Sequence, residues 1–295
     1  MAVMSDVPYT ILPARTRTAL FFVCDHASNA LPDGYGTLGL EPERLNEHIA
    51  YDIGASEATL ALAAAYGAGA VLARYSRLFI DLNRGEDDPT LVMRLSDGQI
   101  IPANARIDDA EMARRIKGIY HPYHAAIAER IEALSAQGVT PILISVHSFT
   151  PSWKGQSRPW QVGVLWDRDD RLARPLLAAF RDLGLVAGDN EPYSGALHGD
   201  TMWQHGTMRG FPHVLIEMRQ DLVATPEAAR AFAHSLKPAL DDALSALGLP
   251  LEAANILAPS APEGRTTDAA MQGRIDAKDS QLVDDGLVAY RRRAP

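Results

Sequence analysis

Three short apolar runs of the chain each end in a side chain that could do chemistry. His26 follows the first run, His147 follows the second, and Glu217 closes the third. Imidazole and carboxylate groups bind metal ions and transfer protons. In open α/β sheets, ligands bind at the carboxyl ends of strands. A single histidine after a strand is more often a hydrogen-bonded loop residue than a ligand, but three such ends that converge would form one site.

The elements that must position these residues are predicted from the alternation of short apolar runs with longer Ala- and Leu-rich segments. This alternation favours an α/β sheet with helices on its faces. Near-continuous hydrophobicity predicts central strands, covered on both sides, at 19–24, 70–75, 142–146, 161–166 and 213–218. Helices are predicted at 56–66, 108–137, 170–183 and 226–247. Pro122 and Pro238 are expected to kink or divide two of them.

Composition and charge exclude several classes of protein. The 295 residues are 47% apolar and 22% charged, which is typical of a folded globular chain. The formal charge is −9 and no basic stripe is present, which argues against nucleic acid as a partner. The sequence shows neither a secretory start nor an apolar stretch of about 18 to 20 residues, so we expect a cytoplasmic protein that does not bind membranes.

The first 250 residues contain no repeat and no Gly/Ser linker, which predicts one domain over residues 1–250. Beyond Pro250 the chain becomes polar and rich in small residues, so residues 251–295 are predicted to form a C-terminal polar extension. The only cysteine, Cys24, lies inside an apolar run and is interpreted as a buried small hydrophobe.

Several motifs resemble those of the N-formylglutamate amidohydrolase family, over roughly residues 20 to 245. The matching segments are Cys24-Asp25-His26-Ala27-Ser28-Asn29, Asp52-Ile53-Gly54-Ala55, Ser76-Arg77-Leu78-Phe79-Ile80-Asp81-Leu82-Asn83-Arg84, and Ile216-Glu217-Met218-Arg219-Gln220-Asp221-Leu222. The strands that carry His147 and Glu217 are also similar to those bearing a histidine ligand and the catalytic glutamate of zinc carboxypeptidases. The resemblance implies a three-layer α/β/α fold with a mixed, mostly parallel central sheet, as in those carboxypeptidases.

The resemblance also implies a zinc site and roles for particular residues. His26 and His147 would bind the metal, Glu217 would be the catalytic base, and Asn83 with Arg84 would hold a substrate carboxylate. Further predicted substrate-binding residues are Arg77, His205, Arg219 and Asn29.

One departure from the carboxypeptidase pattern leaves the third ligand open. Those enzymes use His-x-x-Glu, whereas this chain has Asn29 three residues after His26. A neutral amide oxygen is a poor zinc ligand. Asp52 is therefore our predicted third ligand, with an ordinary helix N-cap as its alternative role. Asn29 would then orient the attacking water or a substrate carbonyl.

The motifs together predict an amidohydrolase that cleaves a small acidic N-acyl amino acid, with a water activated by zinc and Glu217 as general base. A homologue that binds a metabolite without catalysis is the first alternative, because His-x-x-Glu is missing. A dinucleotide-dependent oxidoreductase is a distant one, since residues 34–39 fit G-x-G-x-x-G. Those glycines follow the first predicted strand by about nine residues instead of closing it, which argues against the cofactor.

Overall fold

The structure is a computed structural model that describes residues 7–251. The predicted extension from 252 onward lies outside the described residues, and so do residues 1–6. The domain boundary near residue 250 therefore stays a prediction. Within the described part of the chain, no helix is both long and apolar enough to cross a membrane.

Short strands and helices alternate along the chain. The strands are β1 (Tyr9–Leu12), β2 (Leu20–Cys24), β3 (Gly69–Ala73), β4 (Leu95–Ser96), β5 (Gln99–Ile100), β6 (Ile142–Phe149), β7 (Ser152–Trp153), β8 (Gln156–Ser157), β9 (Val162–Leu165), β10 (Ala187–Asp189) and β11 (His213–Arg219). The α-helices are α1 (Ala55–Tyr66), α2 (Asp109–Arg115), α3 (His121–Ser135), α4 (Ala173–Asp182), α5 (Thr201–His205) and α6 (Pro226–Ala246).

Seven strands form the central sheet in the order β1-β3-β2-β6-β11-β9-β10. Strands β3, β2, β6 and β11 run parallel to one another, whereas β1 and β9 are antiparallel to their neighbours β3 and β11. The carboxyl ends of β2, β6 and β11 therefore lie at the same edge of the sheet. The remaining four strands pair as two short ladders, β4 with β5 and β7 with β8.

Alternate side chains of the strands enter two separate apolar cores. Phe22, Ile144 and Ile216 pack on one face of the sheet with apolar residues of α1, α4 and α6. Leu143 and Leu215 pack on the other face with apolar residues of α3 and the connections around it. This arrangement confirms the predicted three-layer α/β/α fold with a mixed, mostly parallel sheet.

The five predicted strands are all present, and the long predicted helix is divided. A π-helical turn at Ile116–Tyr120 separates α2 from α3, and Pro122, which has no N–H to donate, lies in the first turn of α3 directly after it. Helix α6 begins after Thr225, whose side chain caps the Ala228 N–H at 3.2 Å, and continues past Pro238.

Cys24 is fully buried, as predicted. Residues 34–39 form turns that bring Leu38 into the core instead of leading a strand into a helix, so the context that a dinucleotide site requires is missing there.

Candidate metal centre and substrate pocket

Three buried side chains converge where the parallel strands end. His26 follows β2, His147 lies in β6, and Asp52 lies in the connection before α1. The Asp52 Oδ2 atom is 2.8 Å from His147 Nδ1 and 3.3 Å from His26 Nδ1. One ligand atom from each residue lies within 4.8 Å of the others. The structure thus brings together the three residues predicted as ligands, as a possible metal site.

Asp52 reaches this position because of the backbone turn before α1. Its N–H donates to the His26 carbonyl at 3.0 Å, which fixes the connection to the end of β2. Gly54, with a φ of +73°, occupies the N-cap position of α1, and no side chain caps the helix there. The alternative role for Asp52 as a helix N-cap is therefore not what the structure shows, and its carboxylate faces the histidines.

The second ring nitrogen of each histidine, Nε2, lies within hydrogen-bond distance of a further carboxylate. His26 Nε2 lies 2.7 Å from Asp81 Oδ1, and His147 Nε2 lies 3.1 Å from Asp25 Oδ2. A carboxylate accepts from the Nε2–H group and so leaves the Nδ1 lone pair for a metal ion. This is the usual arrangement around histidine ligands in metal sites.

Asp25 is buried at the centre of its own hydrogen-bond network. Its carboxylate accepts from Thr201 Oγ1 at 2.7 Å, from Tyr123 OH at 2.9 Å and from Ser145 Oγ at 3.2 Å. Burial alone would raise the pKa of Asp25, but the contact with His147, the charge of His26 and the hydrogen bond from Thr201 lower this pKa to about 2. Asp25 therefore stays ionised and holds His147 in one orientation.

Arg77 balances the charge of two of the carboxylates. Its Nη2 lies 2.8 Å from Asp81 Oδ2, and its Nη1 lies 3.3 Å from Asp52 Oδ1. Burial would lower the pKa of Arg77, but Asp81 and Asp52 raise it. Arg77 lines the pocket as predicted, yet its guanidinium is occupied by the acids that build the centre.

Two carboxylates, those of Asp25 and Asp52, lie against the His147 ring, and this negative charge favours a cation in the cluster. Burial would lower the pKa of His147, whereas hydrogen bonds to Asp25 and Asp52 raise it to about 10. A divalent ion at the Nδ1 atoms would supply positive charge that protons otherwise provide. The donor set of two imidazoles and one carboxylate fits zinc.

Glu217 lies beside this centre and is not part of the hydrogen-bond network. It occupies the position on β11 opposite His147 on β6. Its Oε2 atom is buried and has no hydrogen-bond partner among residues 7–251. Burial raises the pKa of Glu217 to about 8. A buried polar atom without a partner in the protein indicates that a water molecule or a substrate supplies one.

A cleft of about 450 Å³, measured out to open solvent, joins these groups. Its lining residues are His26, Asp52, Arg77, Asn83, Arg84, His147, Ser148, Leu165, Tyr193, Ser194, Leu197, Asp200, Leu215 and Glu217. Both predicted carboxylate-binding residues, Asn83 and Arg84, are among them and are buried. The Arg84 Nη1 atom donates to the Asn83 carbonyl at 2.9 Å, so the two residues are held together.

The structure does not bring three of the predicted substrate-binding residues to the pocket. The Asn29 amide donates to the Leu45 carbonyl at 2.8 Å, and Arg219 forms an ion pair with Asp221 at 2.7 Å. His205 Nε2 instead lies 3.0 Å from His124 Nδ1 in a buried, stacked pair. Local partners satisfy each of these polar groups away from the cleft.

Three acidic residues at the candidate centre and in the pocket were not among the residues predicted from the sequence. Asp25 and Asp81 lie inside the motifs that contain His26 and Arg84. An acidic residue close to a predicted ligand or substrate-binding residue is the signal that could have identified them. Asp200 lines the pocket from the start of α5, and no motif marks it.

A model of the N-formylglutamate amidohydrolase family matches residues 18–224. The chain belongs to this family. The match begins just before β2 and ends after β11, so it includes every residue of the candidate metal centre as well as Glu217. Membership in this family of amidohydrolases makes the chain a hydrolase of amide bonds, with small amino acid derivatives as the class of substrate.

Two solved structures are similar to this member of the N-formylglutamate amidohydrolase family. A gene product of Agrobacterium tumefaciens is 34% identical, covers 81% of this chain and 96% of its own, and superposes with a TM-score of 0.78. The N-formylglutamate amidohydrolase of Ralstonia eutropha JMP134 is 23% identical, with 81% of this chain and 98% of that chain covered and a TM-score of 0.59. At this identity the second likeness shows the fold alone. No curated protein sequence matches the chain significantly.

Proposed function

We propose that the protein is a zinc-dependent amidohydrolase that cleaves the amide bond of an N-acyl amino acid of the N-formylglutamate type. The observation that carries the proposal is the convergence of His26 Nδ1, His147 Nδ1 and the Asp52 carboxylate. Both histidines present the same nitrogen, because Asp81 and Asp25 hold the other one. This geometry supports a metal site more strongly than the residue types alone.

The three residues would hold zinc and leave a coordination position open, as catalytic zinc sites require. When bound, zinc supplies Lewis acidity that polarises the substrate carbonyl and makes a nearby water molecule more acidic. The protein contributes the orientation of the ligands through Asp25 and Asp81 and the balance of charge through Arg77.

Glu217 is the general base in this proposal. Its unpartnered Oε2 takes a proton from the water as the water oxygen adds to the amide carbon, and Glu217 then gives the proton to the amine nitrogen as the C–N bond breaks. A carboxyl group with a pKa of about 8 exchanges protons readily near neutral pH, although it is ionised only in part at pH 7. The raised pKa favours the second of these two proton transfers.

Arg84 and Asn83 are proposed to bind the α-carboxylate of the substrate. A guanidinium forms paired hydrogen bonds with a carboxylate, and burial strengthens such a contact. Asn83 Oδ1 accepts from the Thr201 N–H at 3.2 Å, which turns the donor end of the Asn83 amide toward other partners. The two residues therefore form a set of donors on the pocket wall.

Metal content and activity test the proposal together. Purified full-length protein is expected to carry about one zinc per chain and to hydrolyse N-formyl amino acids. Removal of zinc by a chelator should abolish turnover, and added zinc should restore it. His147→Ala should lose both metal and activity, whereas His234→Ala, an exposed histidine on α6, should keep both. Full activity in the metal-free protein would refute the proposal.

Two observations argue against the alternative functions. A protein that only binds a metabolite has no use for a buried, unpartnered carboxylate beside the metal ligands. The dinucleotide function lacks its strand-turn-helix context at residues 34–39.

A further inference from the structure

Arg158 is a half-buried arginine beside the cleft that the proposed chemistry does not use. Its Nη1 atom donates to the Tyr193 hydroxyl at 3.1 Å and to Thr150 Oγ1 at 3.0 Å, and Tyr193 lines the cleft. Among residues 7–251, no carboxylate forms an ion pair with Arg158, and no group accepts a hydrogen bond from its Nε or Nη2 atoms. The described part of the chain therefore places a full positive charge at the cleft without a counter-charge.

The position of the Arg158 guanidinium is fixed by contacts of its backbone and its side chain. The Arg158 N–H donates to the Pro151 carbonyl at 2.9 Å, which closes the β7–β8 hairpin at its base. Arg219 Nη1 lies 3.4 Å from the Arg158 carbonyl and 3.2 Å from the Pro159 carbonyl. The guanidinium carbon lies 5.0 Å from the centroid of the Tyr193 ring. A group held in this way loses little conformational freedom when it binds a ligand.

Arg158 and Arg84 approach the candidate metal centre from different sides. Arg158 precedes β9, and because β9 is antiparallel to β11, the first residues of β9 lie beside the carboxyl end of β11. Burial raises the pKa of Glu217, and Arg158 is among the charges that oppose this rise, which agrees with its place on the Glu217 side. The segment of Arg84 instead contacts the centre on the His26 side, through Asp81.

The arginines that line the cleft already have partners or a proposed role. Arg77 pairs with Asp52 and Asp81, and Arg84 is the cation that we assign to the α-carboxylate. A substrate of the proposed type carries a second carboxylate on its side chain. That carboxylate requires a further cation near the cleft, and Arg158 supplies one.

We propose that Arg158 is a specificity-determining residue, which binds the side-chain carboxylate of an N-acyl dicarboxylic amino acid. This inference rests on the proposed function, because it requires an amide substrate whose α-carboxylate lies on Arg84. The edge of a guanidinium that carries Nε and Nη2 matches the two oxygens of a carboxylate. Because a partly buried ion pair is screened less than one at the surface, the charge of the substrate side chain should determine the preference.

N-Formylglutamate and N-formylglutamine test the inference, because the two compounds have nearly the same shape and differ in charge. The ratio of their kcat/KM values is measured with the zinc-loaded full-length protein at a pH near neutrality, where the side-chain carboxyl, with a pKa of about 4.3, is ionised. The unsubstituted protein is expected to prefer the glutamate compound by about tenfold or more, which is the usual scale for hydrogen bonds to a charged group.

Arg158→Gln and Arg158→Met remove the charge, and the methionine variant keeps an apolar stem that can pack on Tyr193. Each variant is expected to bring the ratio close to one, mainly through a higher KM for N-formylglutamate. Loss of Arg158 also raises the pKa of Glu217, but this effect acts on both substrates and cancels in the ratio. Arg181→Gln, at an exposed position on α4, is the control and should leave the ratio unchanged.

Two results would overturn the inference. One is an unsubstituted protein that hydrolyses both compounds equally well. The other is an unchanged ratio in either Arg158 variant, with folding verified by thermal unfolding. In that case Arg158 would act only through Glu217 or through its contacts with Tyr193 and Thr150, and both substrates would be slowed to the same extent.

Failure of the proposed function gives a different result. If the zinc-loaded protein hydrolyses neither compound, the amidohydrolase proposal fails. The affinities of the two compounds, measured by calorimetry, then decide the carboxylate contact by themselves. Weaker binding of N-formylglutamate to Arg158→Gln, but not to Arg181→Gln, supports the contact with Arg158. An unchanged affinity in the folded Arg158→Gln variant refutes it.

Discussion

At the scale of a single residue, two properties of Glu217 determine its proposed role as a base. It lies opposite His147 in the sheet, and its Oε2 has no partner in the described part of the chain. Glu217→Gln keeps the shape of the side chain but cannot accept the proton. We expect turnover to fall by at least about a hundredfold, with zinc content and thermal stability nearly unchanged. Steady-state kinetics and elemental analysis of the same preparation measure this outcome.

Glu57→Gln is a suitable control for that experiment. Burial also raises the pKa of Glu57, but this residue belongs to α1 and does not line the pocket. Loss of the Glu57 carboxylate should leave turnover unchanged. Loss of zinc in the Glu217 variant would make Glu217 a ligand, and near-normal turnover would remove it from the mechanism.

In the proposed mechanism, Asp25 acts through its contact with His147 and is therefore a positioning residue. Asp25→Asn removes the charge that holds the Nε2–H of His147 while keeping the size of the side chain. Loss of such a contact typically weakens metal affinity by about 10- to 100-fold. Competition with a chelator of known affinity measures the change, and Asp33→Asn, at an exposed position, is the control. An unchanged affinity would show that His147 is oriented without Asp25.

The turn that begins α1 connects local backbone geometry to the metal centre, at the scale of an element. A Cβ atom on Gly54 would lie 2.3 Å from the Val223 carbonyl oxygen, in the connection that follows β11. Gly54→Ala should therefore destabilise the fold by more than the about 1–2 kcal/mol that a left-handed residue costs. It should also weaken zinc binding, because Asp52 is two residues away.

Gly98→Ala provides a matched control for this substitution. Gly98 has the same φ of +73°, but a Cβ atom there would meet nothing within 4 Å. Chemical denaturation of both variants separates the cost of the conformation from the cost of the contact. Equal stabilities, with zinc affinity unchanged in both, would show that the contact between Gly54 and Val223 does not position Asp52.

The central elements could be predicted from the sequence because their cause is local. Continuous apolar runs mark β2, β6 and β11, which the sheet buries on both faces. Strands β1 and β10 could not be found in this way. The first is half-exposed at the sheet edge, and the second contains three residues without an apolar run. Their pairing depends on neighbours that are distant in the chain.

The candidate site shows the same difference between local and distant causes. The sequence predicted that residues at strand ends, such as His26 and His147, belong to one site. Asn29 and Arg219 were assigned from their motifs, but neighbouring groups satisfy their side chains outside the cleft. Asp200 reaches the pocket only because the segments of Gly85 and Gly199 touch, and a contact between such distant segments leaves no periodic pattern in the sequence.

At the scale of the whole molecule, zinc should stabilise the fold if it binds as proposed, because the three proposed ligands come from distant parts of the chain. Asp52 and His147 are separated by 95 residues, so the unfolded chain does not present them together. Zinc at about 100 times its dissociation constant would add about 2.7 kcal/mol to the free energy of unfolding. For a domain of this size, that corresponds to roughly 5 to 10 °C in Tm.

Thermal unfolding with zinc and with a chelator measures this shift. His147→Ala should show almost no difference between the two conditions, and His234→Ala should behave as the unsubstituted protein. An equal Tm in both conditions for the unsubstituted protein would show that zinc does not bind the folded state preferentially.

The position of β11 between β6 and β9 has a consequence for the protein during its synthesis. A ribosome completes β6, β9 and β10 before it reaches His213. A growing chain that lacks β11 therefore already holds His26, Asp52 and His147, but the edges of β6 and β9 stay open where the last strand belongs. Open edges of apolar strands pair readily with other chains. Aggregation, and the need for a chaperone, should be greatest in the interval before residues 213–219 emerge.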